Sequence, residues 1–472
     1  MSQPDVYVVG SGPNGLAAAV HLARAGRRVH VLEAAATPGG GMRTAELIET
    51  GTWHDVCSAI HPLAVASEAL RDLPLAEHGL EWVYPEVEVA HVVDGGGAGV
   101  LRRSLDVTAE GLGADGDAWR TALRPLVRAG TGLIDDLLSP LRLPPRHPID
   151  LVRYGVAGLQ PATWWGRRFD TDAGSGLFAG LAAHSILPLS APITTGYGLM
   201  LGALAHTVGW PMPRGGSQSI ADALVSLLAA HGGTVECNAP VASLADLPAG
   251  ATVLLDVTPR QVLELAGERL SGRYAKRLRR YRYGPGVFKL DYVLSGPIPW
   301  SNPDAHLAGT VHVGGPLAEV VASEHAVGKG RHPERPFLLV AQPTNFDPTR
   351  STTGRHVAWT YCHVPNGSTV DMTAPIEAQI ERFAPGFRDL IVGRHAMATA
   401  QIEAYNANYI GGDIAAGAGD LRQFVARPTL GLHPWRTPLE GVYLCSAATP
   451  PGAGVHGMCG LHAARTALAD GR

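Results

Sequence analysis

The sequence predicts an α/β fold of two interwoven domains, one of them organised around a parallel sheet. Three observations predict it. A strand, glycine loop, helix and strand open the chain, a second glycine-rich strand–loop–helix unit closes it, and 472 residues exceed what one core usually holds. Charged residues make up 17% of the chain, below the roughly 25% of typical soluble proteins, which predicts extensive buried surface or a large apolar ligand.

The opening unit has the order of a dinucleotide-binding βαβ unit. Val6 to Val9 is a short apolar run typical of a buried parallel strand, and Val29 to Leu32 predicts the next strand. Leu16 to Ala25 between them predicts a helix rich in alanine and leucine. The first strand and the helix are joined by the glycine loop, Gly10-Ser11-Gly12-Pro13-Asn14-Gly15.

Each glycine of this loop has a physical task. Gly10 permits the tight turn, Gly12 lets the backbone approach a pyrophosphate, and Gly15 lets the helix pack closely on the strand. The start of the helix, beside Pro13 and Asn14, presents free N–H groups and a partial positive charge to phosphates. The loop therefore predicts a pyrophosphate site.

The residues after the loop distinguish between dinucleotides. Glu33 ends the second strand, where a carboxylate can accept hydrogen bonds from ribose hydroxyls, and an acid here favours FAD or NAD over NADP. The run from Pro38 to Thr44, with Gly40, Gly41 and Arg43, resembles the second glycine motif of glutathione-reductase-type FAD proteins, in the amine oxidase and phytoene desaturase branch. The resemblance implies glycines beneath the flavin, an arginine near the cofactor's phosphates or ring, and FAD as the cofactor.

The C-terminal segment resembles the closing FAD motif of phytoene desaturase-related proteins. Gly441 to Cys445 predicts a short strand, and a glycine-studded loop leads to the terminal helix, Leu461 to Leu468. In that family the loop and the helix N-terminus lie against the ribityl chain and the pyrimidine end of the flavin, where N–H groups stabilise the negative charge of the reduced form. The resemblance assigns cofactor contacts to five residues here: Ala447, Gly454, Val455, His456 and Gly457.

A third piece of the FAD domain lies in the middle of the chain. Ala221 to Ala230 predicts a helix, and three strands are predicted after it: Thr234 to Asn238, Val241 to Leu244 and Thr252 to Thr258. In the family the backbone near Val241 commonly meets the adenine. The predicted FAD-binding domain comprises residues 1–70, 213–285 and 396–472, and the predicted substrate domain comprises residues 71–212 and 286–395, with a helical part and a sheet.

Four further blocks extend the resemblance to nearly the whole chain. They read DVCSAIHPLA, GWPMPRGGSQSIADAL, RYRYGPGVFKLDY and YCHVPNGSTVDM. They resemble the phytoene dehydrogenase-related group of bacterial FAD oxidoreductases, with more distant similarity to carotenoid desaturases and flavin amine oxidases. The resemblance implies a glutathione-reductase-type FAD domain interwoven with an α+β substrate domain, and it leaves the substrate open.

Lys289 is the first candidate for chemistry beside the flavin. It shares one face of the predicted strand Val287 to Leu294 with Asp291, because side chains in a strand alternate with a period of two. In flavin amine oxidases a lysine on a substrate-domain strand reaches the flavin through water. A structural ion pair with Asp291 is the alternative.

Two histidines are further candidates. His61 follows the flavin loop closely in sequence, and His456 lies inside the terminal motif. A structural role is the alternative for both. His184 and His363 are weaker candidates, since a chain with 20 histidines must have many without a chemical task.

Composition excludes several other classes. A net charge of −4 with no basic run argues against nucleic-acid binding. The five cysteines are scattered, with no CxxC pair, and predict no disulfide framework; the sequence also has no HExxH motif, so no metal site is predicted. The first strand begins too early for a signal peptide and no membrane span is evident, so a cytoplasmic location is expected. Residues 142–169 mix arginines with Trp164 and Trp165, which suits either peripheral membrane contact or an ordinary surface helix.

We therefore expect an FAD-dependent enzyme that dehydrogenates a CH–CH bond of a hydrophobic, isoprenoid- or lipid-like molecule, with oxygen or a quinone as electron acceptor. One alternative is an amine oxidase acting on a CH–N bond, although aromatics are 6% of the chain and no clear aromatic pair is evident. Another is a flavoprotein that binds lipid or a partner protein without turnover. The oligomeric state stays open.

Overall fold

The computed structural model describes residues 5–140, 145 and 147–472, so residues 142–144 and 146 of the predicted arginine- and tryptophan-containing segment lie outside the described residues. The helices of the described residues are α1 (Pro13–Arg24), α2 (Pro62–Ala66), α3 (Glu68–Arg71), α4 (Leu105–Gly111), α5 (Gly116–Leu137), α6 (Pro148–Gly158), α7 (Ala162–Trp165), α8 (Asp172–Ala183), α9 (Thr194–Thr207), α10 (Gln218–Ala230), α11 (Pro259–Ala266), α12 (Gly272–Leu278), α13 (Leu317–Gly328), α14 (Thr373–Phe383), α15 (Thr399–Tyr405), α16 (Leu421–Val425) and α17 (Met458–Ala469).

A five-stranded parallel sheet carries the glycine loop. Its strands are β1 (Val6–Val9), β2 (Val29–Leu32), β9 (Thr234–Glu236), β10 (Thr252–Leu255) and β16 (Val442–Leu444), in the spatial order β16-β10-β1-β2-β9. β1 lies at the centre and is buried on both faces, which explains why it is an unbroken apolar run. Helices α1, α10 and α17 share a core with this sheet. Three separated stretches of chain thus build one sheet.

A seven-stranded mixed sheet forms the second body. Its strands are β6 (Val87–Val92), β7 (Ala98–Leu101), β11 (Gly286–Leu294), β12 (Ala308–Val313), β13 (Leu338–Ala341), β14 (His356–Val364) and β15 (Ile391–Met397), in the order β15-β11-β14-β13-β12-β6-β7. β6 and β7 form an antiparallel hairpin, which turns at residues 95–97. Two small ribbons complete the strands: β3 (Thr44–Ala45) with β4 (His54–Asp55), and β5 (Trp82–Val83) with β8 (Met212–Pro213).

One predicted strand is wrong. Val241 to Leu244 contains no strand; residues 241–243 are irregular and a 3-10 turn follows at Leu244–Asp246. The cause lies just before it, where Asn238 N–H donates to the Ala35 carbonyl and Ala239 N–H donates to the Glu33 carbonyl. These bonds fasten the segment to the end of β2, so it runs beside the glycine loop instead of extending the sheet.

Within the described residues, no helix combines the length and the apolar character that crossing a bilayer requires.

Candidate active site

A cavity of about 790 Å³ joins the parallel sheet to the mixed sheet. One part of its wall comes from the glycine loop, the end of β2 and the segment after β9. The other part comes from the residues that follow α8, from α9 and from the strands β12, β13 and β14. Its volume lies within the range of pockets that hold drug-sized ligands and cofactors.

Most residues predicted to bind the cofactor line this cavity. They are Gly10, Gly12, Pro13, Asn14, Glu33, Gly40, Gly41, Arg43, Val241, Ala447, Gly454 and Val455. Helix α1 begins at Pro13, and its N-cap residue, Gly12, has no side chain that could cap the first turn. The positive end of the helix therefore faces the cavity where the sequence predicts phosphates.

Asp256, which the sequence analysis missed, lies under the glycine loop at the end of β10. Its Oδ2 accepts a hydrogen bond from Gly15 N–H at 2.9 Å. A Cβ on Gly12 would stand 2.6 Å from the same oxygen, and one on Gly15 would stand 2.1 Å from the Gly10 carbonyl oxygen. The glycines at 12 and 15 are thus required by this packing beneath the loop. The available signal was a single charged residue within the otherwise uncharged predicted strand Thr252 to Thr258.

Glu33 and Arg43 form a polar pair at the mouth of the loop. Glu33 Oε2 accepts bonds from the N–H (2.9 Å) and the hydroxyl (2.5 Å) of Ser11, and its Oε1 lies 3.4 Å from Arg43 Nη2. The guanidinium of Arg43 also lies over the ring of Tyr405, 5.1 Å from its centroid. Both residues are less than a tenth exposed and line the cavity, and their contacts with each other, Ser11 and Tyr405 fix their positions in its wall.

The predicted residues near the terminal motif are placed differently from one another. Gly454 and Val455 line the cavity, whereas the adjacent His456 and Gly457 do not. His456 accepts a bond from Met458 N–H at its Nδ1, and its Nε2 lies 3.1 Å from the Gly452 carbonyl oxygen. Burial lowers the pKa of His456 to about 4. Both ring nitrogens therefore hold the loop that precedes α17.

The other two catalytic candidates also differ. Lys289 does not line the cavity; it forms a buried ion pair with Asp291, the alternative that the sequence left open. Burial raises the pKa of the cavity-lining Cys57 thiol, while the Tyr409 hydroxyl and the Lys289 ammonium act to lower it. His61 lines the cavity, with Nε2 2.8 Å from Ser217 Oγ and Nδ1 without a partner among the described residues. Burial lowers the pKa of His61 to about 4, so the imidazole is neutral at pH 7.

Aromatic side chains from β14 and from the segment around α15 also line the cavity, a grouping that the sequence did not indicate. The rings of Trp359 and Tyr361 on β14 are stacked, with centroids 5.6 Å apart and planes 8° apart. Tyr405 and Tyr409, which lie more than 40 positions after β14 in sequence, also line the cavity. The Tyr405 hydroxyl donates to the Gly40 carbonyl at 3.0 Å. These residues meet only through the tertiary fold.

Comparisons with known proteins agree with this architecture. A model for NAD(P)-binding Rossmann-like domains matches residues 8–73. The pyridine nucleotide-disulfide oxidoreductase domain-containing protein 2 of Rattus norvegicus is 26% identical over 99% of this chain and 93% of its own length. The solved structure of putrescine oxidase bound to putrescine is similar with a TM-score of 0.64, at 19% identity, over 99% of each chain. The predicted fold class is confirmed.

A shorter similarity concerns a desaturase. Hydroxyneurosporene desaturase of Cereibacter sphaeroides is 61% identical over 41 residues, which are 9% of this chain and 8% of the desaturase. Taken together, the comparisons show a Rossmann-like dinucleotide-binding domain within a fold similar to that of putrescine oxidase.

The residues present fit such a dinucleotide. The first turn of α1 is open to the cavity, Asn14 Oδ1 is buried without a partner among the described residues, and the glycines leave the backbone accessible. Cavity-lining residues continue from Val241 past Glu33 and the loop to Gly454, so one elongated ligand can contact all of them.

Asp256 makes the stability of the flavin-free protein depend on pH. Burial raises the pKa of Asp256 to about 7 from its ordinary value of 3.8, although the N–H groups of Gly15 and Gly12 act against it. Between these values the folded protein holds a proton that the unfolded chain releases, so the contribution of Asp256 to the unfolding free energy falls as pH rises from 4 to 7. We expect Asp256→Asn to remove this decline. Urea unfolding of the unaltered protein and of Asp256→Asn at pH 5 and pH 8 measures the unfolding free energies. If the two proteins differ in unfolding free energy by the same amount at both pH values, the prediction is contradicted.

Proposed function

We propose that the protein is an FAD-dependent oxidoreductase that dehydrogenates a CH–CH bond of a hydrophobic, isoprenoid- or lipid-like molecule. The observation that carries the proposal is the continuity of the cavity, which joins the dinucleotide loop to a chamber walled mainly by apolar side chains. When bound, FAD supplies hydride acceptance at its N5 atom. Oxygen or a quinone then takes the electrons.

The chain's own residues bind and orient both molecules. The glycine loop and the start of α1 would hold the pyrophosphate, Glu33 would accept hydrogen bonds from ribose hydroxyls, and the backbone at Val241 would meet the adenine. Ala447, Gly454 and Val455 would contact the flavin end. Apolar side chains in the chamber, among them Met200, Leu201 and Leu339, exclude water and select an apolar substrate.

His61 is the predicted catalytic residue that lines the cavity. Its neutral imidazole is 1% exposed and is fixed by Ser217, so it positions the wall beside the substrate. Lys289 and His456 act as positioning residues behind the wall, through Asp291 and the loop before α17 respectively.

Anaerobic reduction of the flavin tests the activity. The FAD-loaded protein is mixed without oxygen with carotenoid precursors, fatty amines and quinols, and the absorbance of oxidised flavin is followed. Bleaching by an isoprenoid with formation of a new C=C bond is the expected result. Bleaching by none of the three classes contradicts turnover and favours a binding role for lipid or a partner protein.

An amine oxidase is the second candidate, favoured by the stacked Trp359 and Tyr361 and by Tyr405 and Tyr409 in the wall. Aromatic rings flanking a flavin can hold a neutral amine. Putrescine oxidase has the same fold, but its likeness extends to the fold alone. Release of hydrogen peroxide with simple amines, without reduction by isoprenoids, reverses the order of the two candidates.

Arg43→Ala is expected to weaken FAD retention. Loss of a hydrogen bond to a charged group is worth roughly 1.5–3 kcal/mol, which corresponds to about a 10- to 150-fold weaker affinity. Dialysis of the flavin-loaded protein followed by flavin release measures the change, and Arg43→Lys retains the charge as a control. Unchanged affinity together with reduced stability of the flavin-free protein contradicts cofactor contact and assigns Arg43 to the Glu33 pair alone.

We also propose peripheral contact with a membrane of anionic phospholipid. Ile149, Val152 and Val156 on one face of α6 are 68%, 65% and 66% exposed, and the exposed Arg153 lies beside them. α6 also adjoins the chamber, because Tyr154 donates its hydroxyl to the carbonyl of Gly196, next to the cavity-lining Tyr197. A lipid-soluble substrate could therefore enter from the bilayer.

Vesicle sedimentation tests this contact. Val152→Asp with Val156→Asp is expected to lower binding to anionic phospholipid vesicles at least tenfold. The reason is that a carboxylate is unfavourable where a valine side chain would insert into the membrane interface. Val107→Asp with Val370→Asp alters two other exposed valines and is the control. Equal sedimentation of both double variants contradicts the proposal.

A further inference from the structure

A chain of histidines lies behind the substrate end of the cavity. His184, the C-cap of α8, lines the cavity, and its Nε2 lies 3.0 Å from Nε2 of His312 on β12. His312 pairs in register with His91 on the neighbouring β6, so both side chains lie on the face of the sheet that packs against α8. His312 and His91 are fully buried.

Two glycines of α8 make room for these rings. A Cβ on Gly180 would stand 2.4 Å from His312 Nδ1 and 2.7 Å from His91 Nδ1, and a Cβ on Gly176 would stand 2.8 Å from His91 Nε2. The two Nδ1 atoms therefore share one small space beside Gly180. Neither has a hydrogen-bond partner among the residues that the structure describes.

The tautomers of the three histidines follow from the hydrogen bond that His91 makes. His91 Nε2 lies 2.7 Å from the Gly315 carbonyl oxygen, which can only accept, so this nitrogen carries the hydrogen. Burial lowers the pKa of His91 to about 4, so the ring is neutral and its Nδ1 is a lone pair. A hydrogen on His312 Nδ1 is attracted by that lone pair, whereas a second lone pair there would be repelled. His312 Nε2 therefore accepts from His184 Nε2–H.

This leaves His184 with a lone pair on Nδ1, its remaining polar atom. Burial lowers the pKa of His184 to about 3, so the lone pair persists at neutral pH. The carboxylates that line the cavity are Glu33, Asp256 and Glu264, and all three lie on elements of the parallel-sheet domain. A cationic amine beside His184 would thus lack a counter-ion from the cavity wall, whereas a neutral O–H donor needs none.

We propose that His184 Nδ1 accepts a hydrogen bond from a hydroxyl group on an otherwise apolar substrate, with His312 and His91 as positioning residues that fix its tautomer. This rests on the proposed function, because it names a polar group on the hydrophobic molecule that the chamber takes. His184 selects among apolar molecules those that carry the hydroxyl.

Paired ligands test the subsite in the FAD-loaded protein. A series of isoprenoid alcohols of five to fifteen carbons and their methyl ethers is titrated while the fluorescence of the cavity tryptophans is followed. The alcohols are expected to bind about tenfold more tightly than the ethers, and His184→Phe is expected to abolish the difference. His325→Phe, on the exposed face of α13, is the control. Equal affinities in the unaltered protein, retention of the preference by His184→Phe, or no binding of any alcohol overturns the proposal.

A second measurement needs no ligand. Nitrogen-15 NMR of histidine-labelled protein, assigned with His184→Phe, is expected to show hydrogen on Nε2 of His184 and none on Nδ1. In His312→Phe the two tautomers are expected to mix, with flavin content unchanged. Hydrogen on Nδ1 of His184 in the unaltered protein overturns the proposal. Flavin content and anaerobic reduction are measured in the same samples, so failure of the proposed function is distinguishable from failure of the subsite.

Discussion

Gly15→Ala is expected to abolish stable FAD binding and to destabilise the parallel-sheet domain. The added Cβ would stand 2.1 Å from the carbonyl oxygen of Gly10, and backbone at the centre of the domain cannot move aside cheaply. Overpacking of this kind typically costs about 1–3 kcal/mol and sometimes more. Flavin content after purification and urea unfolding of the flavin-free protein measure the effect. Gly111→Ala in α4, where nothing lies within 4 Å, is the control.

Gly12→Ala sharpens this prediction, because its clash involves a side chain. The new Cβ would stand 2.6 Å from Asp256 Oδ2. We expect Gly12→Ala to lower flavin affinity in the unaltered background and to have little further effect in Asp256→Ala, as a double-mutant cycle measures. Equal effects in both backgrounds contradict the packing of Asp256 beneath the loop. Normal flavin content in Gly15→Ala contradicts the site itself.

Lys289→Met is expected to lower the unfolding free energy by about 3–5 kcal/mol, because it leaves Asp291 buried without its partner. Burial acts to raise the pKa of Asp291, but the Lys289 ammonium and His54 hold it below its ordinary value. Chemical unfolding measures the loss. Arg28→Met, which breaks the exposed pair with Asp5, is the matched control and is expected to change stability by no more than about 1 kcal/mol.

The double variant Lys289→Met with Asp291→Leu distinguishes a structural ion pair from a catalytic lysine. If the pair is structural, removing both charges recovers most of the stability and restores flavin reduction. If Lys289 acts on the reacting atoms, the double variant is stable but remains inactive. Full stability of Lys289→Met with complete loss of turnover contradicts the structural role.

Local patterns in the sequence were sufficient for the elements around the glycine loop. β1 and β2 have the predicted bounds because a buried parallel strand is a short apolar run, and the glycines mark where the backbone turns. The predicted helix after the loop begins three residues earlier, at Pro13, because proline is well suited to the first turn. The predicted strand at Val241 was wrong because bonds from residues 238 and 239 to the end of β2 outweigh its local propensity.

The chemical groups of the chamber depend on long-range packing, which a local pattern does not reveal. His184 meets His312 from 128 positions away, and Asp256 meets Gly15 across 241. His184 was a weak candidate because nothing near it in sequence indicates a cavity. Lys289 and His456 show the converse case. Both were chosen for their neighbours in sequence, yet their polar atoms are bound to Asp291 and to the backbone before α17.

Titration of the flavin-free protein with FAD tests whether the cavity is an FAD site. We expect one FAD per chain, quenching of the cavity tryptophans on binding, no comparable binding of NAD or NADP, and loss of FAD binding in Gly15→Ala. Tight binding of NAD or NADP with no uptake of FAD by the folded protein would contradict it.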